Sequence, residues 1–209
     1  MQGFFMAKKR LFLVIDGSNL YHRLKELRKA KFDQVGFDYE GLGVLLAGRR
    51  RIVDKAYYEG AVREEVGSRK SRELMREQHR LIGKLIKLDF RIELGYLLKS
   101  GDRYQEKGVD VKMALDILAG AYENLYDEVC LVSSDTDLLP VVKKVREMGK
   151  VVEYIGFSHR PSFGLIKNVS EFRLLRLEEI KQFYKKMTPN RRSGAQLRRI
   201  IASSGKVSR

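Results

Sequence analysis

Four aspartates carry the chemical interest of this 209-residue chain. Asp16 stands directly after the apolar run Leu11 to Ile15, while Asp135 and Asp137 lie in the turn Ser133 to Asp137, just after a second apolar segment that ends at Val132. Asp110 opens a helical pattern after a polar stretch. Carboxylates that share a small volume repel one another: two unit charges ~5 Å apart cost roughly 3 kcal/mol at an effective dielectric of about 20. Such a cluster raises its own pKa values unless a cation fills it. Hard oxygen ligands of this kind suit Mg²⁺ or Mn²⁺, whose retained waters can act as nucleophile or bridge to phosphate. The chemistry suggested is metal-assisted phosphodiester hydrolysis.

These acids work together only if the fold brings them together. Leu11 to Ile15 is the uninterrupted apolar run of a central strand covered on both faces. Leu20, Leu24 and Leu27 then predict an amphipathic helix. A short helix over Phe37 to Leu46, a loop from Gly48 to Arg51 and a second strand over Ile52 to Glu59 follow, with Gly60 to Arg69 read as a surface loop. From Ser71, the spacing of Leu74, Gln78, Leu81, Leu85 and Leu88 predicts a long helix leading into a strand over Phe90 to Leu94. Lys99 to Gly108 shows no periodicity and reads as a mobile loop. Val111, Leu115 and Leu118 mark another helix, followed by a strand over Glu128 to Val132 and a helix over Leu138 to Met148 that Gly149 ends. Val151 to Ile155 is again a strand; a short strand near Phe172 to Leu175 and a closing helix over Glu178 to Lys186 complete the pattern.

Strands alternating with helices imply a parallel sheet with right-handed crossovers. Ligands bind such sheets beyond the carboxyl ends of the strands, near the point where strand order reverses. Asp16, Asp135 and Asp137 fall on that edge. Asp110 joins them if the strand Phe90 to Leu94 lies beside the first.

Composition supplies the partner. The chain has 42 Lys and Arg against 27 Asp and Glu, a formal charge of +15, which suggests a polyanion, nucleic acid first and an anionic membrane surface second. Arg191, Arg192, Arg198, Arg199, Lys206 and Arg209 stand in a terminal stretch with no acidic residue, so residues 1–187 read as one domain and 188–209 as a basic, flexible tail. Apolar residues make up 44%, enough for a substantial core, yet no apolar run is long enough to cross a bilayer. With one cysteine, Cys130, no intramolecular disulfide or multi-thiolate zinc site is available, and a reducing cytoplasm is the expected compartment.

Three motifs, in order, make the sequence recognisable: Asp16-Gly17-Ser18-Asn19-Leu20, Lys107-Gly108-Val109-Asp110-Val111, and Ser133-Ser134-Asp135-Thr136-Asp137-Leu138. From about Lys9 to Leu177 the chain resembles the NYN domain family of PIN-like nucleases. The resemblance implies an α/β, PIN-like three-layer fold with a central parallel sheet of about five strands and helices on both faces. It also implies a Mg²⁺- or Mn²⁺-dependent ribonuclease with Asp16, Asp110, Asp135 and Asp137 as metal-site acids and Asn19 as a polar residue beside them. Ser134 is a secondary candidate. Asp116 is another, although six positions past Asp110 is about 240° of helical rotation and leaves the two on different faces. Homodimerisation is a further expectation of the resemblance. RNA is the expected partner, and Lys107, Arg49, Arg50, Arg51, Arg69, Lys70, Arg72, Arg191 and Arg192 are the candidate contacts to it.

Plainer readings stand beside these. Asp16 and Asp135 have the residue type and position of helix caps, and the same fold could bind RNA without cutting it. His22, His79 and His159 are dispersed and read as structural or surface residues. Gly41-Leu42-Gly43 follows no strand and lacks the third glycine of a dinucleotide fingerprint. A phosphatase with a nucleophilic aspartate wants a second acid two positions on, where this chain has Ser18. Tyr57, Tyr58 and Tyr104 are candidates for base stacking, though neighbours in a strand face opposite ways, which puts one of the first two in the core.

Overall fold

The computed structural model describes residues 7–28, 32–62, 68–100 and 103–184. The basic tail, with Arg191 and Arg192, lies outside the described residues. In chain order the elements are β1 (Arg10–Asp16), α1 (Gly17–Arg28), α2 (Tyr39–Ala47), β2 (Arg51–Glu59), α3 (Arg69–Lys87), β3 (Arg91–Leu94), β4 (Tyr96–Ser100) and β5 (Arg103–Lys107). They continue with α4 (Val109–Tyr122), β6 (Glu128–Val132), a 3-10 turn (Thr136–Leu138), α5 (Leu139–Glu147), β7 (Val151–Phe157), α6 (Phe163–Ile166), β8 (Glu171–Leu175) and α7 (Leu177–Lys181).

Six strands form one all-parallel sheet in the order β3-β2-β1-β6-β7-β8, one more than the resemblance implied. The central strand shows why its sequence is uninterruptedly apolar. Leu11, Leu13 and Ile15 face a core shared with α1, α2 and α3, whereas Phe12 and Val14 face a second core shared with α4 and α5. All five are at most 3% exposed, and each such side chain contributes about 1.5–3 kcal/mol by leaving water.

Two expectations are corrected. First, β3 pairs with β2 rather than β1, because the α3 crossover carries the chain outward and makes β3 the sheet edge. Second, the segment read as a loop over Lys99 to Gly108 is mostly hairpin: β4 pairs with β5 in antiparallel register from Tyr96↔Lys107 to Ser100↔Arg103. An isolated ribbon outside the main sheet has no need of an apolar face, so it leaves little pattern to read. The hairpin then hands the chain to α4, which starts at the carboxyl edge and packs against the β2 and β3 side of the sheet. The closing helix is also shorter than expected, since Tyr184 leaves it to bridge Phe37.

Candidate functional site

The strand order reverses between β1 and β6, whose following helices pack on opposite faces of the sheet. Asp16 ends β1 at this point and is 5% exposed. One carboxylate oxygen accepts the Asn19 backbone N–H at 2.9 Å and thereby caps α1; the other accepts the Ser133 hydroxyl at 2.8 Å. Ser133 Oγ in turn accepts the Asp135 N–H at 3.1 Å, and the Asn19 side-chain carbonyl accepts the Ser134 N–H at 3.1 Å. The two motifs are therefore tied by hydrogen bonds across the switch point, so capping and site-building are roles of the same residues. Asp135 Oδ1 caps the 3-10 turn through the Asp137 N–H at 2.9 Å. Gly17 allows this close assembly, because a Cβ there would lie 2.5 Å from the Tyr57 ring.

Asp16, Asp110 and Asp135 line one open cleft of about 290 Å³ together with Ser18, Asn19, His22, Arg23 and Val109. Burial pushes the Asp16 carboxyl up to about 6, with Asp110 and Asp135 adding repulsion and the Asn19 and Ser133 hydrogen bonds opposing it. Asp110, in the first turn of α4, is likewise raised, by burial and then by Asp135 and Asp137. Asp137 is exposed on the 3-10 turn beside the cleft and acts on it through this repulsion. The site thus holds more negative charge than its own residues neutralise.

Sequence reasoning missed His22 and Arg23. They follow Asn19 by three and four positions, which places them on the same face of α1, and that spacing was the available signal. Arg23 forms an ion pair with Glu26 at 3.2 Å, while its buried Nε has no hydrogen-bond partner.

Other candidates lie elsewhere. Asp116 lines a different cleft with Phe12, Arg91 and Tyr126, and accepts hydrogen bonds from Arg91 at 2.8 Å, Lys112 at 2.6 Å and Tyr58 at 2.8 Å. Burial works against its ionisation, but those three donors outweigh it and hold the carboxyl below its ordinary range. It is part of an ion-pair network, as the 240° rotation from Asp110 foreshadows. Arg49, Arg50 and Arg51 lie at the amino edge of the sheet, opposite the acids. Arg50 is corrected outright, since its guanidinium is engaged by Glu128 at 3.0 Å, Glu153 at 2.6 Å and the Ala47 carbonyl at 3.1 Å. Tyr57 and Tyr58 are both core, at 1% and 0% exposure, because helices cover both faces of β2. The Tyr104 side chain lies outside the described residues. Ser134 sits in the site's frame, with its hydroxyl 3.1 Å from that of Tyr154. Lys107 is exposed, three residues before Asp110. Arg69, Lys70 and Arg72 are exposed at the start of α3, which runs antiparallel to the strands and so begins at the carboxyl edge.

The NYN domain model matches residues 10–176. The chain belongs to the NYN domain family. NYN domains are part of the PIN-like nuclease superfamily, which suits an acid-lined switch point in a parallel sheet. A crystal structure of a protein of unknown function from Vibrio parahaemolyticus RIMD 2210633 is similar in fold, with a TM-score of 0.57 and 22% identity over 81% of this chain and 93% of that one. No curated protein matches the chain.

In this NYN domain, no three His, Cys, Asp or Glu side chains among the described residues form a ready-made metal-binding group. The donor chemistry nonetheless fits a hard divalent ion. All the acids offer oxygen, and a carboxyl raised by burial, with smaller repulsion from Asp110 and Asp135, gains from an added cation. No helix among the described residues is long and apolar enough to cross a membrane.

Proposed function

We propose that this NYN domain is a Mg²⁺- or Mn²⁺-dependent ribonuclease. The observation that carries the reading is the convergence of Asp16, Asp110 and Asp135 on one cleft at the switch point, with Asp16 buried and its carboxyl raised despite two hydrogen bonds. Asp16, Asp110 and Asp135 would hold the ion, with Asp137 reaching it through water, since Mg²⁺ keeps several of its waters. When bound, the ion supplies Lewis acidity at the scissile phosphate and an activated water.

The remaining work belongs to the chain. Ser133 and the Asn19 N–H fix the two oxygens of Asp16, which keeps the carboxylate oriented before substrate arrives. Asn19 spends its carbonyl on Ser134 and keeps its amide N–H groups as donors for a phosphate oxygen. Arg23 and His22 line the wall of the cleft and would contact the RNA phosphates there. Lys107 and the surplus basic surface draw in the RNA backbone, whose affinity comes largely from phosphate contacts. The enzyme is therefore basic overall with a small acidic centre.

Cleavage of an RNA panel by the wild type and Asp135→Asn, with and without divalent ion, tests the reading. Divalent-dependent cleavage lost in the variant supports it. Absence of cleavage with either ion, together with RNA binding that Asp16→Asn leaves unchanged, would instead identify a non-catalytic RNA-binding module.

A further inference from the structure

One face of α3 is not used by the acid cleft or by the core. At about 100° per residue, five cations, Arg69, Arg72, Arg76, Arg80 and Lys87, fall within ~60° of a single line along the helix, as does one acid, Glu73, which pairs with Arg69 at 3.1 Å. All five cations are exposed, with the Arg69 side chain 89% accessible. The buried residues Gln78, Leu81 and Leu85 lie on the other side, so the basic line faces solvent along the whole helix. Over 19 residues it extends about 27 Å. Lys84 is not part of it, because its ammonium turns inward to the Val35 and Phe37 carbonyls.

Two details point to the kind of partner. Gly83 lies on the line between Arg80 and Lys87, exposed in mid-helix, and a Cβ there would meet no atom within 4 Å. Packing within the chain gives no reason for a residue that weakens a helix, whereas a bare backbone between cations lets a bulky chain come close. The line also contains no large apolar residue. A protein partner needs an apolar contact core, whereas a polyphosphate needs cations, arginine above all. Because α3 runs antiparallel to the strands, Arg69 stands towards the acid-bearing edge and Lys87 towards the far edge.

We propose that the outer face of α3 is a docking track for the RNA backbone, on which a strand leaving the acid cleft runs past Arg69 and on to Lys87. The proposal rests on RNA being what the acid cleft binds. It adds that the domain engages a stretch of RNA well beyond the scissile bond, so long strands bind better than short ones.

The test is fluorescence anisotropy in EDTA, where no cleavage intervenes, with single-stranded RNAs of about 6 and about 20 nucleotides, the shorter close to a minimal binding site. The variants are Arg76→Glu with Arg80→Glu, and, for an equal charge change on α5, Lys143→Glu with Lys144→Glu. Circular dichroism melting checks that both fold. The α3 variant is expected to lose tenfold or more in affinity for the long RNA and little for the short one. Its slope of log K against log salt should fall by about 1.4, from two phosphate contacts at ~0.7 each. The α5 variant should bind as the wild type does. Equal affinity for the α3 variant and wild type, as an acidic protein partner would give, or equal losses in both variants, would overturn the track. Cleavage is scored separately. Lost affinity without any nuclease activity leaves the track and removes the ribonuclease reading, whereas cleavage with unchanged affinity does the reverse.

Discussion

Asp16→Asn should make the metal-free protein more stable at neutral pH while abolishing its activity. The carboxyl is raised from an ordinary 3.8 to about 6. Between those values the folded state binds more protons than the unfolded state, so stability is full below the unfolded value and falls as pH rises through the folded one. Above pH 6 the ionised group costs about 3 kcal/mol relative to its neutral form, at ~1.36 kcal/mol per unit. Asparagine removes that cost and keeps an oxygen for the Asn19 N–H. Its amide must then donate to Ser133, whose own hydroxyl proton loses its acceptor, a penalty of about 1 kcal/mol. The net gain is about 2 kcal/mol near pH 7.5, shrinking to roughly zero near pH 4.5. Urea unfolding in EDTA at both pH values, followed by circular dichroism because the chain has no tryptophan, measures the difference. Added Mg²⁺ should stabilise the wild type and leave the variant unchanged, which narrows the gap. A variant less stable than wild type at pH 7.5, or a gap independent of pH, would refute the reasoning.

Other predictions follow from the neighbours of the cleft. Gly108 has φ +89° and a Cβ there would lie 2.4 Å from the Tyr96 ring, so Gly108→Ala should cost about 1–3 kcal/mol in thermal unfolding and lower cleavage by displacing Asp110. Arg91→Ala leaves Asp54 without this ion pair and removes one partner each from Glu93 and Asp116, which keep Lys112; with the guanidinium 37% exposed the loss should be about 1–3 kcal/mol, read by denaturation, and Mn²⁺ affinity should not change. The stability that Asp116 contributes is present above its ordinary carboxylate range and is lost as pH falls below it, so Asp116→Asn should flatten the acid limb of a stability profile. Arg50→Ala leaves Glu128 and Glu153 unpaired and should cost about 2–4 kcal/mol while RNA cleavage per folded molecule stays the same.

The fold was legible where burial dictates sequence. A strand covered on both faces must be apolar throughout, so β1 announced itself, and the acid that follows it marked the carboxyl edge. The order of motifs likewise placed Asp110 and Asp135 in a common cleft. What stayed hidden was set by long-range pairing. Nothing in Phe90 to Leu94 says which strand it joins, and Asp110 reaches the site although β3 lies beside β2. The hairpin carried a weak signal in Gly101-Asp102 between its strands, masked by the charged residues around it. Arg50 looked like part of a basic patch because its partners, Glu128 and Glu153, stand far away in sequence. His22 looked isolated because its companions in the cleft come from other elements.

The central claim is that these aspartates jointly hold a divalent ion at the switch point. Anomalous diffraction from a crystal soaked in Mn²⁺ tests it most directly. A peak is expected between Asp16, Asp110 and Asp135 that is absent from Asp16→Asn crystals treated in the same way. No peak there at saturating Mn²⁺, or a peak confined to the Asp116 cleft, would contradict it.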